Sequence, residues 1–179
     1  DAVLSLDAGA DALGFNFYPR SPRYIRPADA RSILGRLPPL AVPVGLFVNV
    51  ADPEEVVGTA RQSGVRVLQL HGDEAPEYCA KLAEWPVIKA VRVGLEGLPA
   101  GLDSYRVQAL LLDAKDDVLF GGTGKRFDWS LVRGIRIGIP VILAGGLRPD
   151  NVRDAIRAVR PYAVDVCSGV ESAPGRKDP

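Results

Sequence analysis

Short apolar runs recur along the chain, and most of them are continuous rather than alternating with polar residues. The runs are ALGFNFY, VPVGLFVN, VRVLQLHG, PVIKAVRV, VQALLLDA, PVILAGGL and AVDVCSGV. Continuous apolar segments of this length are typical of parallel strands that are covered on both faces. The pattern therefore predicts seven parallel strands.

The segments between these runs carry the signals of helix termini. Asp52 precedes a proline and two glutamates, as at a helix N-terminus. The stretch RPDNVRDAIRAVRP repeats the signal, with prolines near its start and at its end. Gly9, Gly64 and Gly138 each stand just before a strand, where a left-handed residue would end a helix. We therefore expect helices between the strands, the first of them within DAVLSLDAGA.

Strands and helices that alternate every roughly 20 to 33 residues form either a doubly wound sheet or a (β/α)₈ barrel. Polar residues recur at the predicted carboxyl ends of the strands, where barrels have their active sites. They are Asn49, His71, Lys89, Asp113, Gly145, Gly146, Asp165 and Ser168. We predict an α/β fold, a (β/α)₈ TIM barrel that forms one domain over residues 1–179. It would lack the first strand and the final helix, because the chain starts in a helix and stops where another should begin.

Composition argues against several classes of partner. Lys plus Arg and Asp plus Glu both number 22, and this balance predicts binding neither to nucleic acid nor to an anionic membrane. No apolar run approaches the roughly 20 residues of a membrane-spanning helix, and no secretory signal opens the chain. Two cysteines suit a reducing cytoplasm. With a single histidine and no C-x-x-C pattern, we expect no metal.

Glycine-rich turns close the last two strand–helix units. LAGGL and CSGVE would follow strands seven and eight of the barrel, which is the usual phosphate site of this fold. Glycine lets backbone N–H groups approach an anion closely. We interpret Gly145, Gly146, Ser168 and Gly169 as a phosphate cradle, and two ordinary tight turns are the alternative.

Asp113 ends a run of three leucines, and Asp165 ends a similar apolar run. Desolvation and repulsion between two carboxylates both favour a protonated carboxyl group, which near neutral pH is a good general acid. An isolated aspartate would more often cap a helix, but beside a phosphate cradle we expect Asp113 to be the acid. The lone histidine, His71, suits either a structural or a catalytic role.

Two further loops carry charged or glycine-rich motifs. YPRSPRYIRP contains Arg20, Arg23 and Arg26. Arginine binds carboxylates through paired hydrogen bonds, but we expect Arg20 and Arg26 to be solvated. FGGTGKRFDW lacks the spacing of a nucleotide-binding P-loop, so a mobile lid is the more plausible interpretation.

Taken together, these motifs resemble those of phosphoribosylanthranilate isomerase of tryptophan biosynthesis. They are GADALGFNFYPRSPRYI, VGLFVN, LQLHGDE, LLLDA, GGTGKRFDW, LAGGLRPDNV and VDVCSGVE…PGRKD, in order over almost the whole chain. The resemblance implies a (β/α)₈ barrel without a cofactor. It implies an Amadori rearrangement of N-(5-phosphoribosyl)anthranilate to 1-(2-carboxyphenylamino)-1-deoxyribulose 5-phosphate. An acid protonates the furanose ring oxygen, and a base removes the C2′ proton.

The resemblance also implies roles for individual residues. Asp113 would be the general acid, Arg23 would bind the anthranilate carboxylate, and His71 and Asp165 would line the substrate pocket. The phosphate would be held by Gly145, Gly146, Ser168 and Gly169. The expected enzyme is cytoplasmic, is a monomer or homodimer, and binds a small phosphosugar.

One departure concerns the general base, which in this family is a cysteine of a CGIT-like motif on the first strand. This chain contains no such motif. Cys79 matches nothing catalytic, and we interpret Cys167 as a small cradle residue rather than a substitute base. We therefore expect the natural protein to have an N-terminal strand and a C-terminal helix, and the chain as it stands to have little or no isomerase activity.

Two alternatives stay open. One is another phosphosugar barrel, similar to indole-glycerol-phosphate synthase, in which Lys89 could serve as a catalytic lysine. The other is a non-catalytic barrel that binds a phosphorylated ligand.

Overall fold

The computed structural model describes residues 1–94, 96–114, 129–133 and 137–178. Its main strands are β1 (Ala12–Asn16), β2 (Val42–Phe47), β3 (Val67–Leu70), β4 (Val87–Val93), β5 (Ala109–Ala114), β6 (Val141–Leu143) and β7 (Ala163–Val164). Its α-helices are α1 (Ala2–Asp7), α2 (Pro27–Leu34), α3 (Pro53–Ser63), α4 (Pro76–Ala80) and α5 (Val152–Val159). Short 3₁₀ helices cover Leu102–Ser104, Trp129–Val132 and Ser168–Val170. The glycine-rich segment predicted to be a lid, 120–128, lies outside the described residues.

The seven predicted strands form one parallel sheet in chain order, from β1 to β7. Each strand pairs with the next one along the chain, which is the strand order of a (β/α)₈ barrel, and the predicted α/β class is confirmed. Among the described residues no ladder joins β7 to β1. Because all strands run in the same direction, their carboxyl ends lie at one edge of the sheet.

The last described residues form a two-stranded antiparallel hairpin of β8 (Glu171–Ala173) and β9 (Arg176–Lys177). The sequence interpretation contained no strand in this segment. The turn between the strands includes Gly175 at a positive φ of 78°. Pro174 and Gly175 were a turn signal that could have indicated the hairpin.

Helix termini follow the predicted capping chemistry. The Asp52 carboxylate accepts a hydrogen bond of 3.0 Å from the backbone N–H of Glu54 and caps α3. Gly9, Gly64 and Gly138 all have positive φ, at 95°, 86° and 71°. The predicted left-handed glycines are therefore confirmed, and each reverses the chain before a strand.

The alternation of side chains along β5 separates two layers of the core. Leu110 and Leu112 pack in a cluster with Leu143 of β6 and with α5. Leu111 packs instead with Ala90 and Ala144. Because side chains alternate between the faces of a strand, Asp113 lies on the same face as Leu111. It does not lie on the face of Leu110 and Leu112, which packs against α5. The described residues include no helix that is long and apolar enough to cross a membrane.

Candidate active site

Three adjacent strand ends bring the two predicted carboxylates and the first glycine turn to the same level. Leu143 pairs with Leu112 on one side and with Val164 on the other. Beyond the strands, the ladder continues from the N–H of Ala144 to the Leu112 carbonyl and from the N–H of Asp165 to the Leu143 carbonyl, both at 2.8 Å. Asp113 and Asp165 therefore stand on either side of the β6 terminus.

His71 contacts Asp113 directly. The distance from His71 Nε2 to Asp113 Oδ2 is 3.1 Å, and Gln69 Nε2 lies 2.9 Å from His71 Nδ1. An amide nitrogen only donates, so Nδ1 accepts from Gln69 and the ring proton on Nε2 is donated to Asp113. The side chains of His71 and Asp113 are 24% and 31% exposed, so both are within reach of a ligand.

Gln69 was not recognised from the sequence. It is a buried polar residue two positions before His71 on β3. Residues two apart on a strand share a face. A polar residue inside an otherwise apolar strand, on the same face as a histidine, was therefore the available signal.

The second carboxylate, Asp165, is electrostatically coupled to this pair. Burial raises the pKa of Asp165 above its usual value, and the negative charge of Asp113 raises it further. His71 and Lys177 act in the opposite direction. The carboxyl group that this environment favours in its protonated form is therefore that of Asp165.

The first glycine turn has the backbone conformation that its sequence predicts. Gly145 and Gly146 have positive φ of 84° and 65°, which glycine adopts at little cost. The buried side chain of Asn151 braces the turn. Its Nδ2 donates to the Gly146 carbonyl at 3.0 Å, and its Oδ1 accepts from the N–H of Arg148 at 2.8 Å. Asn151 is a second residue that sequence reasoning missed. It directly precedes α5, which begins at Val152.

The second glycine turn packs against the first. Ser168–Val170 form a 3₁₀ helix, and a Cβ placed on Gly169 would overlap the carbonyl oxygen of Leu147. Only glycine permits this approach between the loops that follow β6 and β7. All four residues assigned to the phosphate cradle thus lie in two turns that touch each other.

Arg23 is held by a carboxylate of the chain itself. Its Nε donates to both Glu171 carboxylate oxygens at 3.0 Å, and its Nη2 also contacts Glu171. These hydrogen bonds lower the pKa of Glu171 to about 2. Arg26, predicted to be solvated, is 73% exposed and pairs with Asp29 at 2.7 Å. Arg23 can therefore bind a carboxylate in this environment, and the group it binds here belongs to the first residue of β8.

The environments of the two cysteines do not favour thiolates. Cys79 is buried in α4, and burial raises its pKa to about 11. Desolvation also raises the pKa of Cys167, with Glu171 adding to the shift and Arg23 opposing it. A thiol with a raised pKa is a poor base near neutral pH. Within the described residues, no three His, Cys, Asp or Glu side chains are grouped as metal ligands.

Lys89 does not lie where the sequence placed it. It is the third residue of β4 rather than at the carboxyl end of the strand. Its ammonium group is 3% exposed and pairs with Glu74 at 3.0 Å. That prediction was wrong because a lysine stem can lie in the core when its charge is paired. The buried lysine is not available as the catalytic lysine of a barrel similar to indole-glycerol-phosphate synthase.

Comparison with known proteins agrees with this geometry. The family model for N-(5'-phosphoribosyl)anthranilate (PRA) isomerase matches residues 1–179. The isomerase of Trichlorobacter lovleyi is 53% identical over 99% of this chain and 86% of its own length, and that of Geobacter sulfurreducens is 51% identical over 99% and 87%.

Solved structures of phosphoribosyl anthranilate isomerases are also similar to this chain. A phosphoribosyl anthranilate isomerase in complex with reduced 1-(o-carboxyphenylamino)-1-deoxyribulose 5-phosphate superposes with a TM-score of 0.87 at 47% identity, covering 99% of this chain and 86% of that one. The enzyme of Thermus thermophilus gives a TM-score of 0.86 at 43% identity, with the same coverage.

Proposed function

The chain belongs to the N-(5'-phosphoribosyl)anthranilate isomerase family, and from that premise we propose that Asp113 is the general acid of its active site. The family is an isomerase family of tryptophan biosynthesis, so the isomerase interpretation takes precedence over the synthase-like barrel and the non-catalytic barrel. What remains to be assigned is the part that each residue plays in the rearrangement.

The proposed reaction begins with proton transfer from Asp113 to the furanose ring oxygen. The bond from that oxygen to C1′ then breaks, and the nitrogen lone pair forms a C1′–nitrogen double bond. Removal of the C2′ proton moves its electron pair into a C1′–C2′ double bond and returns electrons to nitrogen, which yields the enolamine. The enol then loses its hydroxyl proton while C1′ gains one, and the ketone forms. We assign no residue of this chain to the removal of the C2′ proton.

The contact between His71 Nε2 and Asp113 Oδ2 is the observation that carries this proposal. It orients the Asp113 carboxyl group through one oxygen and leaves Oδ1 to carry and donate the proton. The glycine turns at the ends of β6 and β7 would hold the substrate phosphate beside this acid.

Arg23 is proposed to bind the anthranilate carboxylate. Its guanidinium uses Nε and Nη2 to hold Glu171, and its side chain is 28% exposed. The N–H groups on Nη1 are the donors that would remain for a second carboxylate. In this arrangement Glu171 orients the guanidinium while the substrate approaches its other edge.

Replacing Asp113 with asparagine tests the general acid. Asn keeps the shape of the side chain but cannot transfer a carboxyl proton, so we expect turnover to fall by roughly 10²- to 10⁴-fold with little change in KM. The assay is the loss of phosphoribosylanthranilate fluorescence, measured with full-length protein, and the same holds for the turnover of every variant below. Asp103→Asn, at an exposed carboxylate in a 3₁₀ helix, is the matched control. Unchanged turnover in Asp113→Asn would end the assignment.

The proposed setting of the enzyme is the cytoplasm, as a monomer or homodimer acting on a phosphosugar without a cofactor. Two cysteines that are both unpaired suit a reducing compartment. A dimeric phosphoribosylanthranilate isomerase of Thermotoga maritima, whose structure was solved for its monomers, is 45% identical to this chain. Sedimentation velocity over a range of protein concentrations would distinguish monomer from dimer.

A further inference from the structure

A fully buried ion pair lies beside the end of β3, which His71 directly follows. Lys89 Nζ and Glu74 Oε2 are 3.0 Å apart, and each side chain is only 3% exposed. Desolvating two charges is unfavourable, and an apolar pair of similar volume often stabilises a core equally well. The geometry of the pair's remaining contacts indicates what else it does.

The Lys89 ammonium contacts the backbone on both sides of His71. It donates to the Gly72 carbonyl at 2.7 Å and to the Leu70 carbonyl at 3.2 Å. A further hydrogen bond of 2.8 Å goes to the carbonyl of Ala90 on its own strand. With Glu74 as the fourth acceptor, all three N–H groups of the ammonium have partners, and two of the acceptors flank a single residue.

The Glu74 carboxylate contacts the same segment from the other side. It accepts from the N–H of Gly72 at 2.9 Å and from the N–H of Asn49 at 2.8 Å. A Cβ on Gly72 would overlap Asn49 Oδ1 and come within 2.7 Å of Glu74 Oε1, so glycine leaves room for both side chains at this backbone. The N–H of His71 itself donates to the Phe47 carbonyl at 2.8 Å.

We propose that the Lys89–Glu74 pair is a positioning device that holds the His71 imidazole in the orientation it needs to donate to Asp113. The pair holds peptide groups on both sides of His71, and the imidazole in turn contacts the carboxyl group assigned as the acid. Lys89 and Glu74 are positioning residues in this scheme, since they touch no reacting atom. The expected effect of the ion pair on catalysis rests on the proposed role of Asp113. Its expected effect on the orientation of His71 does not.

The chain offers a direct readout, because His71 is its only histidine. Long-range ¹H–¹⁵N correlation spectra report which nitrogen of a neutral imidazole carries the proton. We expect the untagged wild-type protein to show the Nε2–H tautomer set by Gln69 and Asp113. Lys89→Met and Glu74→Gln should shift these signals towards a mixture of tautomers and lower kcat by at least ~10-fold, with a smaller change in KM.

Arg26→Met removes one partner of an exposed ion pair and serves as the control, with wild-type signals and turnover expected. Tyr105→Phe is a milder test if the core variants do not fold, because it removes only the hydrogen bond of 3.1 Å from Tyr105 to the Glu74 carbonyl. It should move the His71 signals in the same direction by a smaller amount.

The outcomes separate this inference from the proposed function. Wild-type His71 signals in every folded variant would overturn the positioning role, as would altered signals combined with wild-type kcat if Asp113→Asn had lost its turnover. If Asp113→Asn kept its turnover while the His71 signals moved in Lys89→Met and Glu74→Gln, the acid assignment would fall. The placement of His71 by the ion pair would stand.

Discussion

The ion pair between Arg23 and Glu171 joins the loop after β1 to the segment after β7, the two ends of the sheet, and its contribution depends on pH. The pair links residues 148 positions apart, and the Glu171 side chain is 5% exposed. Replacing Glu171 with glutamine keeps the shape of the side chain but removes its charge. We expect Glu171→Gln to lower the free energy of unfolding near neutral pH and to have little effect in acid.

The magnitude follows from the pKa of Glu171. Its fall from 4.5 to about 2 corresponds to about 3 kcal/mol if converted in full. Arg23 and Lys177, the two cations that contact Glu171, are 28% and 26% exposed, so solvent screens the interaction. A difference of about 1–2 kcal/mol between the wild type and the variant is therefore expected at pH 7.

The direction with pH follows from the depressed pKa. The folded protein holds Glu171 ionised more strongly than the unfolded chain does, so this stabilisation is complete above about pH 4.5. It is lost as the pH falls towards 2, where the folded protein also protonates Glu171. The free energies of unfolding of wild type and variant should converge over that interval.

Urea denaturation at several pH values between 7 and 2.5, followed by fluorescence of the two tryptophans, measures this convergence. Asp29→Asn, which disrupts the exposed pair with Arg26, is the matched control and should change stability by less than about 0.5 kcal/mol. A difference between Glu171→Gln and wild type that stayed constant across the pH range would refute the reasoning.

Two further predictions concern the glycine turns and the thiols. Gly169→Ala should lower kcat/KM by on the order of 100-fold, because its Cβ would force apart the turns proposed to hold the phosphate. The control is Gly58→Ala, at an open site in α3. It should leave activity unchanged and stabilise the helix by up to about 1 kcal/mol. If both glycine variants behaved alike in steady-state kinetics, the contact between the turns would have no role in binding. In native protein at pH 8, a disulfide reagent such as DTNB should modify Cys167 and leave Cys79 unmodified until the chain unfolds, since burial raises the pKa of Cys79 to about 11. Rapid modification of both thiols in folded protein would contradict the burial of Cys79.

The sequence alone determined the features whose causes are local. Continuous apolar runs predicted all seven strands, and their regular alternation with helices indicated the barrel class. Asp52 and the three glycines at positive φ were readable because capping involves only near neighbours in the chain. Asp113 and Asp165 could be expected at one edge because parallel strands place their carboxyl ends together.

Tertiary structure decided which charges meet. The pairing of Arg23 with Glu171, the burial of Lys89 against Glu74 and the contact of Gln69 with His71 were not predicted. Side-chain periodicity tells which face a residue occupies, but the partner of a charge depends on the strand that lies beside it and on the water excluded there. Those conditions exist only once the sheet has assembled, so the orientation of the site residues belongs to the folded molecule rather than to any segment of the chain.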